Sequence, residues 1–221
     1  MKITPAILTD SFLLLQHEVD AVRYSSVIEA VHIDVIDGQF ADNITVTPLD
    51  LTVAEFEPLK IDFHFMTEEP MDFVYECEAL KEYLPIRRMI GQVERMTHQA
   101  DFLWSAKSNG WEATLALDLF TPLEAIDEEL WKELDSVLLL GVEAGYQDQK
   151  LHANLYRKLQ ELAKRFPRKN GYNFKVLVDG GIKLDNILTL ARYDIDECVV
   201  GSAIWESEDP LLAIEELYQS R

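Results

Sequence analysis

In the stretch Val31-His32-Ile33-Asp34-Val35-Ile36-Asp37-Gly38, a histidine and an aspartate alternate with three β-branched residues. Side chains along a strand point to opposite faces in turn. A strand here therefore carries His32 and Asp34 on one face and Val31, Ile33 and Val35 on the other. An imidazole nitrogen and a carboxylate oxygen two residues apart offer donors to a common point, as binding of a divalent cation requires. The pattern returns in Ile61-Asp62-Phe63-His64-Phe65-Met66, where Asp62, His64 and Met66 share a face. A third stretch, Lys175-Val176-Leu177-Val178-Asp179-Gly180-Gly181, runs from β-forming residues into a carboxylate and two glycines. Strands ending in His or Asp at three separated places predict one polar site at the ends of parallel strands. The plain alternative is a hydrogen-bonded polar core that holds no metal.

The segments between these strands have helical character. Thr9-Asp10-Ser11 supplies N-caps, and Phe12, Leu15, Val19 and Val22 follow with helical spacing. Residues 50–56, 71–83, 96–108, 151–166 and 184–191 read as helices, and Asp209-Pro210 opens a last one. Residues 60–66, 85–92, 111–117, 137–140, 174–179 and 198–200 read as strands, and 141–149 as a polar loop. Thr121-Pro122-Leu123-Glu124 places a cap, a first-turn proline and a capping-box glutamate in order, which predicts a helix through residue 134. Strand and helix alternate throughout, the mark of a parallel sheet. Eight such units in 221 residues predict an α/β fold, a (β/α)8 TIM barrel, with a doubly wound open sheet as the alternative. No Pro/Gly/Ser-rich linker interrupts the chain, so residues 1–221 read as a single barrel domain. Barrel chemistry sits at the C-terminal strand ends, where His32, Asp34, His64 and Asp179 all fall.

Forty acidic against twenty basic residues give a formal charge of −20. That balance argues against nucleic acid as a partner, since binding it relies on Lys and Arg neutralising phosphates. It also opposes the approach of any anion, although salt screens the field over roughly 8 Å. No apolar run approaches the length of a membrane span. The N-terminus enters a strand-like segment without a signal-peptide pattern. Cys77 and Cys198 make a poor disulfide framework and read as buried free thiols, so the expected compartment is the reducing cytoplasm.

Taken in order, these stretches resemble the ribulose-phosphate 3-epimerase family. Thr4-Pro5-Ala6-Ile7-Leu8 is similar to its first strand, His32 to Gly38 to its second-strand motif, and Asp62-Phe63-His64-Phe65-Met66 to its third. Val178-Asp179-Gly180-Gly181-Ile182-Lys183, followed by Asp185-Asn186, resembles its seventh, and Gly201-Ser202-Ala203-Ile204 its eighth. The resemblance implies one divalent cation (Zn²⁺, Fe²⁺ or Mn²⁺) on His32, Asp34, His64 and Asp179. It implies Asp34 and Asp179 as the acid and base that invert C3 of a ketose phosphate, by default D-ribulose 5-phosphate. It also implies Met66, Gly145, Gly180, Gly181, Gly201 and Ser202 around the substrate, a sugar phosphate or sugar. Asp37 and Asp62 read as outer-sphere or turn residues. Family members are often homo-oligomers, and the sequence points to no interface.

The chain departs from the family around the substrate. Where the family has a sixth loop reading Asn-Pro-Gly-Phe-Gly-Gly-Gln, this chain has Glu143-Ala144-Gly145-Tyr146-Gln147-Asp148-Gln149. Gln147 and Asp148 thus stand where glycines let the backbone approach phosphate. Ala6 replaces a serine, Ile36 and Leu140 replace methionines, and Gln92 replaces a histidine beside a retained Glu94. These changes leave open an epimerase for a different or unphosphorylated ketose. A non-catalytic barrel that binds a metal or sugar is the contrasting reading.

Overall fold

The computed structural model describes residues 1–168 and 173–221. The apolar runs form eight strands: β1 (Lys2–Ile7), β2 (Ala30–Ile36), β3 (Lys60–Met66), β4 (Ile86–Gln92), β5 (Glu112–Leu117), β6 (Ser136–Leu140), β7 (Lys175–Asp179) and β8 (Glu197–Val200). Each pairs in parallel with its sequence neighbours, and β1 pairs with β8, so the sheet closes into a barrel. Around it lie α1 (Phe12–Val22), α2 (Pro70–Leu80), α3 (Gln99–Ser108), α4 (Ala153–Arg165), α5 (Leu184–Leu190), α6 (Ser202–Trp205) and α7 (Pro210–Gln219). This is the expected (β/α)8 barrel. Ser11 caps α1 through Leu14 N, and Asp209 caps α7 through the amides of Leu211 and Leu212. No helix among the described residues is long and apolar enough to cross a membrane. Both cysteines are buried and free.

The strands are buried on both faces, as parallel strands under helices must be. On the outer face Val31, Ile33 and Val35 join Leu15, Val19 and Val22 of α1 in one apolar cluster. Inside, Ala6, Ile90, Ala116, Leu138, Leu177 and Val199 form a separate cluster. Alternation then sorts the remaining interior positions into layers. Two residues earlier on the same strands stand Thr4, Arg88, Thr114, Ser136 and Glu197; two residues later stand Gln92 and Asp179, while Leu140 still belongs to the apolar cluster. An apolar layer thus lies between a polar floor and a polar mouth.

Two expected helices differ in form. Residues 121–134 make two separate 3₁₀ turns, Leu123–Ala125 and Glu128–Leu130, instead of one continuous helix. Gln99 of α3 breaks the continuity: its amide donates to Ala125 O at 2.7 Å and its side-chain oxygen accepts from Asp127 N at 3.1 Å. Those backbone groups are taken before a helix can use them. The helix expected over 50–56 is a 3₁₀ segment, Pro48–Val53, with Asp50 accepting from Thr47 N.

Candidate metal centre

β2 delivers His32 and Asp34, β3 delivers His64, and β7 ends in Asp179. The register pairs Asp34 with His64 and His32 with Asp62. Non-adjacent β7 joins them because the barrel is closed. His64 Nδ1 lies 2.9 Å from Asp34 Oδ1 and 3.7 Å from Asp179 Oδ2. His32 Nε2 lies 3.3 Å and 3.8 Å from the same two oxygens. One donor atom from each residue falls within 4.8 Å of all the others. A tetrahedron with metal–ligand bonds of about 2.1 Å has edges of about 3.4 Å, and the four nitrogen–oxygen distances straddle that value.

The chemistry of these donors fits a cation. Both imidazoles are fully buried, and neither ring nitrogen of His32 forms a hydrogen bond. Buried polar atoms without partners are uncommon and call for an explanation. Two carboxylates beside two imidazoles, with no Lys or Arg among the described residues ion-paired to any of the four, are a mixed N/O set of the kind divalent metals take. Burial alone would lower the pKa of His32, but Asp34 and then Asp179 outweigh it and raise it. Burial works to raise Asp34, yet His32 and then His64 hold it down at about 2. Asp179 is pushed up to about 6 by burial and then by the charge of Asp34. A cation among them opposes that repulsion and favours both ionised carboxylates.

Local structure fixes the donors. The Thr45 hydroxyl donates to Asp34 O at 2.7 Å and accepts from Ile36 N at 2.9 Å, pinning the end of β2. Asp37 is a turn residue, as expected: its carboxylate accepts from the amides of Gln39, Phe40 and Glu68. Asp62 pairs in register with His32 but is not one of the clustered donors. It sits one layer deeper, where Arg88 Nη1 lies 2.9 Å from its Oδ2 and Arg87 Nε donates to its Oδ1 at 2.7 Å. Asp62 shares a face with His64, as the alternation predicts, but two residues along a strand is a full layer of a barrel.

Above Asp34 and Asp179 opens a small cavity of about 60 Å³. Met66, Gly145, Gly180, Gly181, Gly201 and Ser202 all line it. Gly181 has φ +71°, and a Cβ there would meet Leu151 N at 2.5 Å, so only glycine lets this turn form. The 143–149 loop folds across the mouth. Asn43 donates to Gly145 O at 2.9 Å, and the Tyr146 hydroxyl to Asp42 O at 2.9 Å. Gln147 Nε2 reaches Leu8 O at 3.4 Å, and Asp148, at φ +53°, pairs with Lys183 at 3.2 Å.

Three residues near the site were not singled out in the sequence for a role. Glu94 accepts from Asp118 N at 2.7 Å, and Asp118 Oδ1 accepts from Ala144 N at 3.1 Å. The buried Lys158 ammonium donates to Asp118 O, and burial lowers its pKa to about 8. The sequence signal was faint: Asp118 ends a strand as Asp179 does, but a lysine in a helix reads as surface.

A family model described as the ribulose-phosphate 3 epimerase family matches residues 2–205. Among curated relatives, ribulose-phosphate 3-epimerase of Bacillus subtilis is 29% identical over all of both chains. The Helicobacter pylori strain J99 protein of that name is 33% identical, covering 100% of this chain and 98% of its own. That of Escherichia coli K12 is 30% identical over 97% and 93%. Among solved structures, 3-hexulose-6-phosphate synthase from Salmonella typhimurium superposes with a TM-score of 0.63 at 15% identity, over 100% of this chain and 98% of its own, a likeness of fold. With the family model spanning the barrel from β1 to α6, the chain belongs to the ribulose-phosphate 3-epimerase family.

Proposed function

We propose that the protein is a metal-dependent epimerase that inverts C3 of a ketose phosphate, by default converting D-ribulose 5-phosphate to D-xylulose 5-phosphate. The observation that carries this reading is the convergence of Asp34 and Asp179, from β2 and β7, beneath one glycine-lined cavity. Inversion next to a carbonyl needs a base to remove the C3 proton and an acid to return one to the opposite face of the planar enediolate. In this reading Asp34 and Asp179 take these two roles. Their environments push their proton affinities apart, as an acid/base pair requires. His32, Asp34, His64 and Asp179 would hold a divalent cation (Zn²⁺, Fe²⁺ or Mn²⁺), which supplies positive charge against the developing enediolate oxygens. Met66 gives the cavity an apolar wall. Gly180, Gly181, Gly201 and Ser202 line the cavity, and backbone amides in such glycine turns are donors that a phosphate would use. Residues 1–221 act in this reading as one domain, and two buried free thiols accord with a cytoplasmic setting.

A second reading has its own observation. Gln147 and Asp148 line the same cavity beside the glycines. Side chains there suit an epimerase for a different or unphosphorylated ketose. Elemental analysis of protein purified without chelator comes first, followed by a metal-supplemented screen of ketose phosphates and free ketoses for exchange of the C3 proton with solvent deuterium. Exchange with ribulose 5-phosphate supports the first reading, and exchange with a free ketose alone supports the second. No metal after reconstitution, or no exchange with any ketose, removes both.

A further inference from the structure

Gln92, the last residue of β4, is fully buried behind His64. Its carboxamide has three polar neighbours. His64 Nε2 lies 3.2 Å away on one side, and Glu94 Oε2 at 2.8 Å and Ala116 O at 3.1 Å lie on the other. A carboxylate and a backbone carbonyl accept hydrogen bonds and cannot donate them. The amide nitrogen of Gln92 must therefore face Glu94 and Ala116, and its oxygen must face His64. An oxygen that only accepts requires a proton on the nitrogen opposite, so the proton sits on Nε2 of His64.

The consequence falls on the other side of the ring. With Nε2 carrying the proton, a neutral His64 presents the lone pair of Nδ1, which points to Asp34 Oδ1 at 2.9 Å and Asp179 Oδ2 at 3.7 Å. A lone pair facing two carboxylates is repelled unless a cation lies between them. The sense of the Gln92 amide is itself held. Glu94, which orients it, is anchored by accepting from Asp118 N at 2.7 Å, and Asp118 receives both Ala144 N and the Lys158 ammonium. The arrangement runs unbroken from a candidate metal donor to the loop that covers the cavity.

We propose that Gln92 is a positioning residue for His64: its side-chain oxygen holds the proton on Nε2 and leaves Nδ1 as the donor to a divalent cation, with Glu94 setting the direction of the amide. The metal part of this inference rests on the metal-dependent reading above; the proton placement does not. A packing role for Gln92 would predict no preference between the two nitrogens and no loss of cation affinity when an apolar side chain of similar length replaces it.

Two measurements test it. In ¹⁵N-labelled protein, two-bond proton–nitrogen correlation of the His64 ring is expected to show Nε2 as the protonated, pyrrole-type nitrogen, with or without Zn²⁺. An unprotonated, pyridine-type Nε2 overturns the inference, and this reading uses the parent chain, so no variant has to fold. The second measurement is competition titration of Zn²⁺ against a chromophoric chelator. Gln92→Met should weaken Zn²⁺ about 10- to 100-fold, the usual effect of losing an outer-sphere partner. Gln92→Glu keeps an oxygen opposite Nε2 and, protonated on the oxygen that faces Glu94 Oε2 and Ala116 O, should retain most of the affinity. Parent-like affinity in Gln92→Met, or equal loss in both variants, overturns the inference. A parent chain that takes up no Zn²⁺ defeats the metal reading instead, and the Nε2 proton then decides the role of Gln92 by itself.

Discussion

The barrel buries charge at both ends, and the two ends treat it in opposite ways. At the floor, Arg87 and Arg88 face Asp62 and Glu197. Arg88 reaches Asp62 at 2.9 Å and Glu197 at 3.0 Å, Arg87 reaches Glu197 at 3.0 Å, and Thr4 donates to Glu197 as well. Arg88 also meets Glu112 at 3.0 Å, and Lys175 pairs with Glu112 at 2.8 Å, so three cations face three carboxylates and the donors find acceptors. At the mouth, Asp34 and Asp179 meet two imidazoles and, among the described residues, no Lys or Arg, and neither ring nitrogen of His32 makes a hydrogen bond. The pKa values follow. Burial opposes ionisation of Glu197, but Arg88 and then Arg87 prevail and hold it at about 2. At the mouth, Asp179 rises to about 6, because burial and its neighbour Asp34 both act against its charge. A closed network of buried charge is structure; an open one has room for a reactant or an ion.

The largest expected effect comes from altering the open end. Asp179→Asn removes one of the two groups proposed to handle the C3 proton, and on that reading turnover should fall by roughly 10²–10⁴-fold. Exchange of the C3 proton from one epimer should survive, since Asp34 still works on its own face. Steady-state rates and deuterium exchange read this out, with metal content measured alongside because Asp179 is also a proposed ligand. A variant that keeps more than about a tenth of parental turnover would remove Asp179 from the acid/base pair.

Opening the closed end should cost stability and leave the chemistry alone. Arg88→Met takes one guanidinium from between Asp62 and Glu197. Breaking a buried ion pair costs about 3–5 kcal/mol, and the lower end applies because Arg87 still touches both carboxylates. Denaturant unfolding should show the loss, while turnover per folded molecule stays near the parent's. An equal fall in turnover would mean that the apolar layer of Ile90, Ala116, Leu138 and Val199 does not insulate one end from the other.

The same network contributes to the acid limb of stability, beside the depressed carboxylate of Asp34 at the mouth. Glu197 has a folded pKa near 2, below its ordinary value of 4.5. A depressed carboxylate contributes stability above its unfolded pKa and loses it as pH falls through the folded one. Stability should therefore drop between about pH 4.5 and pH 2, and Arg88→Met should flatten that part of the profile. A profile of unchanged shape in the variant would count against Glu197 as its source.

The mouth was more legible in the sequence than the floor, for a physical reason. Strand alternation placed His32 with Asp34, and Asp62 with His64, because side-chain direction is a local property. The depth of a residue is not local. It depends on the stagger between strands: Asp62 reads from the sequence as an outer-sphere or turn residue one step inside His64, and nothing there shows that Arg88 is its partner. Glu197 and Arg88 lie 109 positions apart, and an arginine in a strand reads as exposed until the closing strand is known. The eight-unit barrel was legible from alternation alone. The helix expected over 121–134 failed because Gln99, from another element, takes its backbone groups. Gln92 appeared only as a departure from the family. Its role depends on Glu94 and Ala116, and Ala116 lies on the next strand.

The smallest expected effect tests how far the open end has been partly closed by its own loop. Asp148 brings a carboxylate to the cavity and already holds Lys183 at 3.2 Å. An incoming phosphate would meet that carboxylate and find the lysine occupied. Two unit charges about 4 Å apart at an effective dielectric of about 20 interact by ~4 kcal/mol. Asp148 is 69% exposed, so solvent removes much of that. Gln147 adds bulk beside Gly201 and hydrogen-bonds Leu8 O. Replacing Gln147 and Asp148 together with glycine removes the charge, frees Lys183 and suits the left-handed backbone at residue 148. KM for ribulose 5-phosphate should fall by roughly tenfold, the equivalent of ~1.4 kcal/mol, while KM for a free ketose hardly moves. Both constants are measured in the parent and in the double variant. If the parent already binds the phosphate ester tightly and the glycines change nothing, the loop does not face the phosphate. Gly180, Gly181, Gly201 and Ser202 would then hold it alone, and the second reading of the substrate would lose its support.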